Sequence, residues 1–458
     1  MNKDSMNRSA DRGAEKIKRV QKKAAPRRKM IVEQVGGVDR PFLITVILLL
    51  CMGTVMVFSS SYPYAKENFG DSYRFAKMQI LFAVMGLFVM ALVIKFIDYH
   101  LIRRFSKSAL AVSIALLALV LVAGTGAKGA TRWLQIGPLS LQPSEITKFT
   151  VVLFFADYAD KFASKIALRD RLYDHWKRLC GSMGLVAMGV LAFLMIPQRA
   201  VGVIFMLVFI GLAGAVAMPI NFKKDLPGIY YGVFPYVIVL CIIGVLMYLQ
   251  PHLSGLIIIA GIIFCMMVIG GTRAGYLLFG IFAGVGVMLV LALSMSHSSG
   301  RLAVWRNPFD FLREGGWQPA QSLYAIGSGG ITGVGFGNSR QKHLYLPEPQ
   351  NDYIFSIWCE EMGFIGAVFL IVVFIYFIYR GIRIGLRAPD RFSSMLVIGI
   401  IMHVGLQVIL NIAVVTNTLP STGISLPFFS YGGTSLMILL AEMGVVLSVS
   451  RVSQIERT

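Results

Sequence analysis

Long apolar runs, parted by short polar connections, divide the chain into twelve segments, at about 41–59, 80–97, 109–123, 144–160, 181–197, 201–219, 229–249, 253–270, 275–295, 354–378, 394–415 and 428–450. At about 1.5 Å rise per residue, runs such as Pro41 to Ser59, Ile80 to Ile97 and Ile229 to Leu249 reach across roughly 30 Å of hydrocarbon. No water is present in that layer to hydrogen-bond an open backbone, and only a helix satisfies its own N–H and C=O groups there. The pattern therefore predicts an all-α fold, a polytopic transmembrane helix bundle. A hydrophobic fraction of 56% and a mean hydropathy of +0.71 point to a bilayer rather than water as the solvent.

The pair at 181–219 is the unusual one, because only Gln198, Arg199 and Ala200 part its two halves. It reads either as a helical hairpin that crosses twice or as a re-entrant hairpin, and both leave the later topology unchanged. Lys177/Arg178 and Lys223/Lys224 on its flanks favour the full crossing, with Arg199 snorkelling to headgroups on the far side.

Charge changes the picture by orienting the bundle. Residues 1–40 hold twelve Lys or Arg against five Asp or Glu and read as a disordered cytoplasmic arm ahead of a membrane domain at 41–450 and a tail at 451–458. From a cytoplasmic N-terminus, the even-numbered connections are cytoplasmic. They hold Arg103/Arg104/Lys107, Lys161 through Arg178, Lys223/Lys224, Arg273 and Arg380 through Arg391, as the positive-inside rule requires. The outer turn at 60–79 fits less well, since Lys66, Arg74 and Lys77 outnumber Glu67 and Asp71. A net charge of +20 spread over such connections speaks for orientation and against nucleic-acid binding. The first apolar run starts forty residues in and is full length, so no cleavable signal peptide is expected. Five cysteines without CxxC spacing and six histidines without a helical ligand pair suggest no protein-held metal cluster.

Three outer segments gather the residues with chemistry: Gly124 to Pro143, Ser296 to Tyr353 (the large loop 296–353) and Thr416 to Pro427. In the first, Arg132 and Trp133 suit the interface, a guanidinium for phosphate beside an indole at headgroup level. Glu145 and Lys148, three apart at the start of the next span, can face one another at the mouth of the bundle. In the long loop, Arg301, Arg306, Asp310, Glu314, Gln318, Gln321, Arg340, Lys342, Glu348 and Asp352 surround Trp305 and Trp317, the mixture of flat faces, cations and carboxylates that a sugar phosphate needs. For any one of these carboxylates a plainly solvated loop is the competing account. The stretch from Gly327 to Gly337 superficially evokes a dinucleotide fingerprint, yet no strand–helix unit flanks it and no nucleotide cofactor is expected. Its glycines read instead as letting backbone lie close to a membrane surface or a bound sugar. The third segment is interrupted by proline and glycine where it enters an apolar span, which is tolerated where backbone is packed in protein or lines a cavity.

Together these segments resemble the SEDS family of peptidoglycan polymerases over about residues 41–450. The resemblance is carried by Arg132-Trp133 with Gln142-Pro-Ser-Glu145, by Gly337-Asn-Ser-Arg-Gln-Lys342, Leu346-Pro-Glu348, Asn351-Asp-Tyr-Ile-Phe355 and Glu360-Glu361, and by Leu426-Pro-Phe-Phe-Ser-Tyr-Gly-Gly433. Asn351 before Asp352 and the basic arm look more like the FtsW branch than the RodA branch, with a sporulation paralogue as a further alternative. The resemblance implies a glycosyltransferase that joins lipid II disaccharides outside the bacterial plasma membrane, at the division septum. It implies a class B penicillin-binding protein and other division proteins as partners. The runner-up readings are a lipid II flippase and a scaffold that recruits a transpeptidase.

Four departures stand against the family pattern. Asn307-Pro-Phe-Asp310 places its acid one position early, Thr422 stands where a Lys is common, and His252 takes the place of an acid in Gln250-Pro-His-Leu-Ser-Gly255. The 181–219 pair adds two spans to the usual ten. On this basis the expected base is Asp310, with Glu314 as runner-up. Arg132, Lys148, Arg301, Lys342 and a divalent ion (Mg or Mn) would neutralise pyrophosphate. Trp133, Glu145, Gln318, Gln321, Arg340, Glu348, Asp352 and Ser430 complete the expected substrate site.

Overall fold

The computed structural model describes residues 37–124, 132–137, 139–166, 188, 230–273, 275–277 and 304–453. Its principal helices are α1 (Arg40–Phe69), α2 (Arg74–Phe96), α3 (Ser106–Ala123), α4 (Pro143–Lys161), α5 (Phe234–Leu249), α6 (Leu253–Ile269), α7 (Trp317–Ser328), α8 (Ile354–Leu386), α9 (Arg391–Val415) and α10 (Gly433–Ser453). A hairpin of β1 (Leu134–Ile136) and β2 (Leu139–Leu141), with Leu134 opposite Leu141, leads into α4. All these helices except α7 coincide with expected apolar runs. The pair at 181–219, most of the run at 275–295, the arm before residue 37 and the tail beyond 453 lie outside the described residues.

Local chemistry sets the helix ends. Asp39 caps α1 by accepting a 3.0 Å bond from the Phe42 amide, and Pro41 sits in the first turn, where a missing N–H is harmless. Gly70, at φ 72°, ends α1 in the left-handed conformation. Because α1 runs ten residues past its apolar run and α2 begins at Arg74, the connection expected at 60–79 shrinks to a tight turn on two projecting helix ends. The last span shows the reverse. Its apolar run starts at 428, yet α10 begins at Gly433, and Phe428 and Phe429 are buried in a folded loop instead. Gly53 of α1 makes room for that loop, since a Cβ there would lie 2.1 Å from the Phe428 carbonyl oxygen.

In the bundle, α10 packs along α2, α8 against α1 and α9, and α4 between α3 and α9, with α6 bridging α4, α5 and α9. Small residues allow the close crossings: Gly86 faces Leu440, and Gly444 faces Val93. At one end ion pairs tie helices together, Arg103 to Asp157 (2.8 Å) and Asp160 (2.7 Å), and Arg380 to Asp39 (2.9 Å). The opposite end holds the hairpin, α7 and the loops before α8 and α10.

One feature of α8 governs that loop end. Gly363 breaks the helix at φ 67°, ψ −168°, and the Gly-rich segment after α7 fills the break with its own backbone. The amides of Phe364 and Ile365 donate to the carbonyls of Gly330 (2.9 Å) and Ile331 (3.1 Å), while those of Val334 and Gly335 donate to Glu360 (3.0 Å) and Glu361 (3.1 Å). The glycines at 329, 333 and 363 are therefore needed for backbone to pass backbone within the protein: a Cβ at Gly333 would meet the Glu361 carbonyl oxygen at 2.1 Å. This corrects the expectation that these glycines serve a membrane surface or a sugar.

Candidate functional site

A cavity of about 870 Å³ opens among the loops at that end and narrows into the bundle. Its walls come from segments far apart in sequence: the end of α2 with Arg74 and Lys77, the stretch from Arg132 to Lys148, His252 at the start of α6, Glu348 to Asp352 ahead of α8, and Gly423 to Glu442. Of the expected site residues, Arg132, Trp133, Glu145, Lys148, Glu348, Asp352 and Ser430 line it.

Each wall is held by named bonds. Lys148, buried, pairs with Glu145 at 2.7 Å and donates to Gln407 Oε1 at 2.9 Å, and Gln407 in turn donates to the Ser425 carbonyl at 3.0 Å. Asn411 of α9 donates to the carbonyls of Asp352 (2.8 Å) and Ile424 (2.6 Å), so one amide joins the loop before α8 to the loop before α10. Ser430 serves that same seam, donating to the Asn351 carbonyl at 2.6 Å and accepting from the Leu426 amide at 2.7 Å. Arg132 donates to the Pro251 carbonyl, and Thr434 donates to Ser140 at 2.8 Å, which fixes the hairpin to α10.

Two titratable groups at the rim are displaced from their ordinary ranges. Burial and the nearby Glu348 carboxylate raise Asp352 to about 6, with Arg132 opposing. Burial and the positive charges of Arg132 and Lys148 push His252 down to about 4, so its ring is neutral at pH 7. Its Nε2 lies 3.2 Å from Gln142 Nε2 and 3.3 Å from Ser144 Oγ. Deeper, His403 Nδ1 and Glu442 Oε2 lie 3.4 Å apart, both side chains buried.

The other expected residues lie elsewhere. Lys342 is wholly buried, paired with Glu361 at 2.7 Å and donating to Ser59 Oγ at 3.2 Å, so it fixes the long loop to α1 and α8 instead of facing pyrophosphate. The backbone amide of Arg340 donates to Glu360 at 2.8 Å, and its side chain is exposed away from the cavity walls. Gln318 donates to the Pro347 carbonyl at 3.2 Å, and Gln321 is buried in α7. The indole N–H groups of Trp305 and Trp317 donate to loop carbonyls, those of Asn417 (3.0 Å) and Tyr345 (2.7 Å). Asp310 sits exposed in a short 3-10 turn, accepting from Asn307 Nδ2 at 2.6 Å, and does not line the cavity. Arg301 and the Glu314 side chain lie outside the described residues.

The sequence reading missed Arg74, Lys77 and the deep trio Gln407, His403 and Glu442, all of which line the cavity. Arg74 and Lys77 did leave a signal, as the cations that spoiled the charge rule at 60–79. The trio also left one: ionisable residues inside spans are costly and mark sites.

The family profile of the cell cycle proteins FtsW, RodA and SpoVE matches residues 40–223 and 215–455. The chain belongs to this family. Within the FtsW/RodA/SpoVE family it is 34% identical to the stage V sporulation protein E of Bacillus subtilis, over 91% of this chain and 98% of that one. It is 33% identical to the probable peptidoglycan glycosyltransferase FtsW of Trichlorobacter lovleyi, over 90% of this chain and 93% of that one. Among solved structures, one chain of a peptidoglycan synthase complex coordinating polymerisation and crosslinking superposes with a TM-score of 0.64 at 22% identity, covering 91% of this chain and 98% of that chain. The rod shape determining protein RodA of Thermus thermophilus superposes with a TM-score of 0.58 at 23% identity, covering 90% and 97%. These two likenesses establish the fold.

Proposed function

We propose that this protein is a peptidoglycan glycosyltransferase that polymerises lipid II on the outer face of the bacterial plasma membrane, at the division septum and beside a class B penicillin-binding protein. The observation that carries the reading is the cavity. It brings Arg74, Lys77 and Arg132 to one rim with Trp133 and the carboxylates of Glu348 and Asp352, at the end of the bundle away from the basic connections. The positive-inside rule makes that end the outer one.

The chemistry asks for little else. An acceptor hydroxyl attacks an anomeric carbon whose leaving group is polyprenyl pyrophosphate, a weak base that needs cations and no general acid. Arg74, Lys77 and Arg132 supply that charge, and the Trp133 indole offers a face to a sugar ring. A Mg or Mn ion would have to draw most of its ligands from pyrophosphate and water, because among the described residues no three His, Cys, Asp or Glu side chains gather around a point. No step is routed through it here.

A flippase is the second reading, favoured by the polar groups that follow the cavity inward to Gln407, His403 and Glu442. Against it, the cavity walls end there, while apolar residues such as Leu396, Val397, Val446 and Leu447 pack the bundle beyond. The purified protein with its transpeptidase partner, given labelled lipid II, is expected to form glycan chains. Transfer of lipid II across vesicles with no glycan formed would overturn the reading.

A further inference from the structure

We infer that Asp352 is the base of this site, taking the proton of the acceptor hydroxyl. The inference rests on the glycosyltransferase reading and deepens it. In the step, the acceptor oxygen bonds to the anomeric carbon as its proton passes to the Asp352 carboxylate. The bond from that carbon to the pyrophosphate oxygen breaks, and its electron pair leaves with polyprenyl pyrophosphate.

The first support is position. The base must reach the bound acceptor, within hydrogen-bond distance or through one water. Asp352 lines the cavity, whereas Asp310 is exposed outside it and tied to Asn307.

The second support comes from comparing the cavity's carboxylates. Asp71 pairs with Lys77 at 2.9 Å, Glu145 with Lys148 at 2.7 Å, and Glu348 accepts from Asn351 Nδ2 at 2.9 Å. Glu442 faces His403 deep among the spans. The Asp352 carboxylate alone takes no hydrogen bond among the described residues, while its backbone is held by Asn411 and that of its neighbour Asn351 by Ser430. An anchored main chain under an unengaged carboxylate suits a group that must hold its place and change its proton.

Room for the carboxylate is built in at Gly423. A Cβ there would stand 2.9 Å from Asp352 Oδ2, so the loop before α10 leaves the space that this oxygen occupies.

Proton affinity agrees with the geometry. Burial and Glu348 raise the group to about 6 and Arg132 opposes them, which leaves Asp352 ionised at pH 7 yet a far better proton acceptor than an ordinary carboxylate. Across the cavity, Arg74, Lys77 and the Glu145–Lys148 pair stand on the other walls, and His252 is neutral.

The test uses the full-length protein with its transpeptidase partner, labelled lipid II as substrate, and initial rates from pH 5 to 8. The wild type is expected to lose rate as pH falls through about 6. Asp352→Asn is expected to lower kcat by about a hundredfold or more, with KM changed only a few-fold, and to abolish that acid limb. Asp310→Asn is expected to lose less than tenfold. Gly423→Ala, which presses on the carboxylate and leaves it in place, is expected to lower kcat while the melting temperature stays close to wild type. Should Asp352→Asn fold poorly, Gly423→Ala and the wild-type acid limb carry the test. An Asp352→Asn protein that keeps its rate and its acid limb overturns the inference. So does a Gly423→Ala protein that keeps its kcat. Absence of glycan from the wild-type complex sinks the parent reading instead, so the two failures are told apart.

Discussion

At the residue scale, Asp352 and His252 bear opposite consequences of the same rim. Asp352 binds its proton more tightly in the folded protein, about 6 against 3.8, so its contribution to stability is lost as pH rises through that interval. His252 binds its proton more weakly, about 4 against 6.5, so its contribution is lost as pH falls through nearly the same interval. The two slopes oppose one another, and the wild type is expected to show a nearly flat melting temperature between pH 4 and 6.5 from this pair. His252→Gln removes one slope and should leave stability declining as pH rises from 4 to 6. Asp352→Asn should leave it rising over the same range. Melting curves of the three detergent-solubilised proteins at half-unit pH steps check this, and parallel slopes in both variants would contradict it.

At the element scale, α8 is one helix by apolar pattern and two by backbone, and the Gly-rich segment is the wedge between them. Gly363 holds φ 67°, and a Cβ there would come within 2.2 Å of the Gly333 amide nitrogen, backbone that cannot step aside. Gly363→Ala is expected to cost several kcal/mol, from left-handed strain together with a clash in a packed interior. It should also lower hydrogen-exchange protection at Val334, Gly335, Phe364 and Ile365, whose amides bridge the two strands of the break. Gly327, with nothing within 4 Å of its virtual Cβ and an ordinary φ, should accept Ala with little change. Equal melting temperatures for Gly363→Ala and Gly327→Ala would show that the break is not a structural necessity.

At the scale of the whole molecule, polarity follows from counting charges, and the cavity end is placed outside. A cysteine at Glu67, exposed at the end of α1, should label with an impermeant maleimide added to intact cells. One at Lys107, exposed at the start of α3, should label only after permeabilisation. The reverse pattern would invert the protein and remove the cavity from its substrate.

Much of this was legible in the chain itself. Run length fixed the helices, because a backbone in hydrocarbon has no partner but itself. Charge asymmetry gave their direction, and the Arg132–Lys148 and Glu348–Asp352 segments announced a site because charges at the mouth of a span are costly to keep. What the chain could not state was which cations face substrate. Lys342 and Arg74 look alike as outer basic residues, yet Lys342 is wholly buried against Glu361 and reaches Ser59, 283 residues away, while Arg74 lines the cavity. Nor could it distinguish Asp310, exposed on its turn, from Asp352, held by Asn411 59 residues on. Local pattern records what each segment must do with its own backbone. Where a side chain ends is set by partners far along the sequence, and only the packed bundle brings them together.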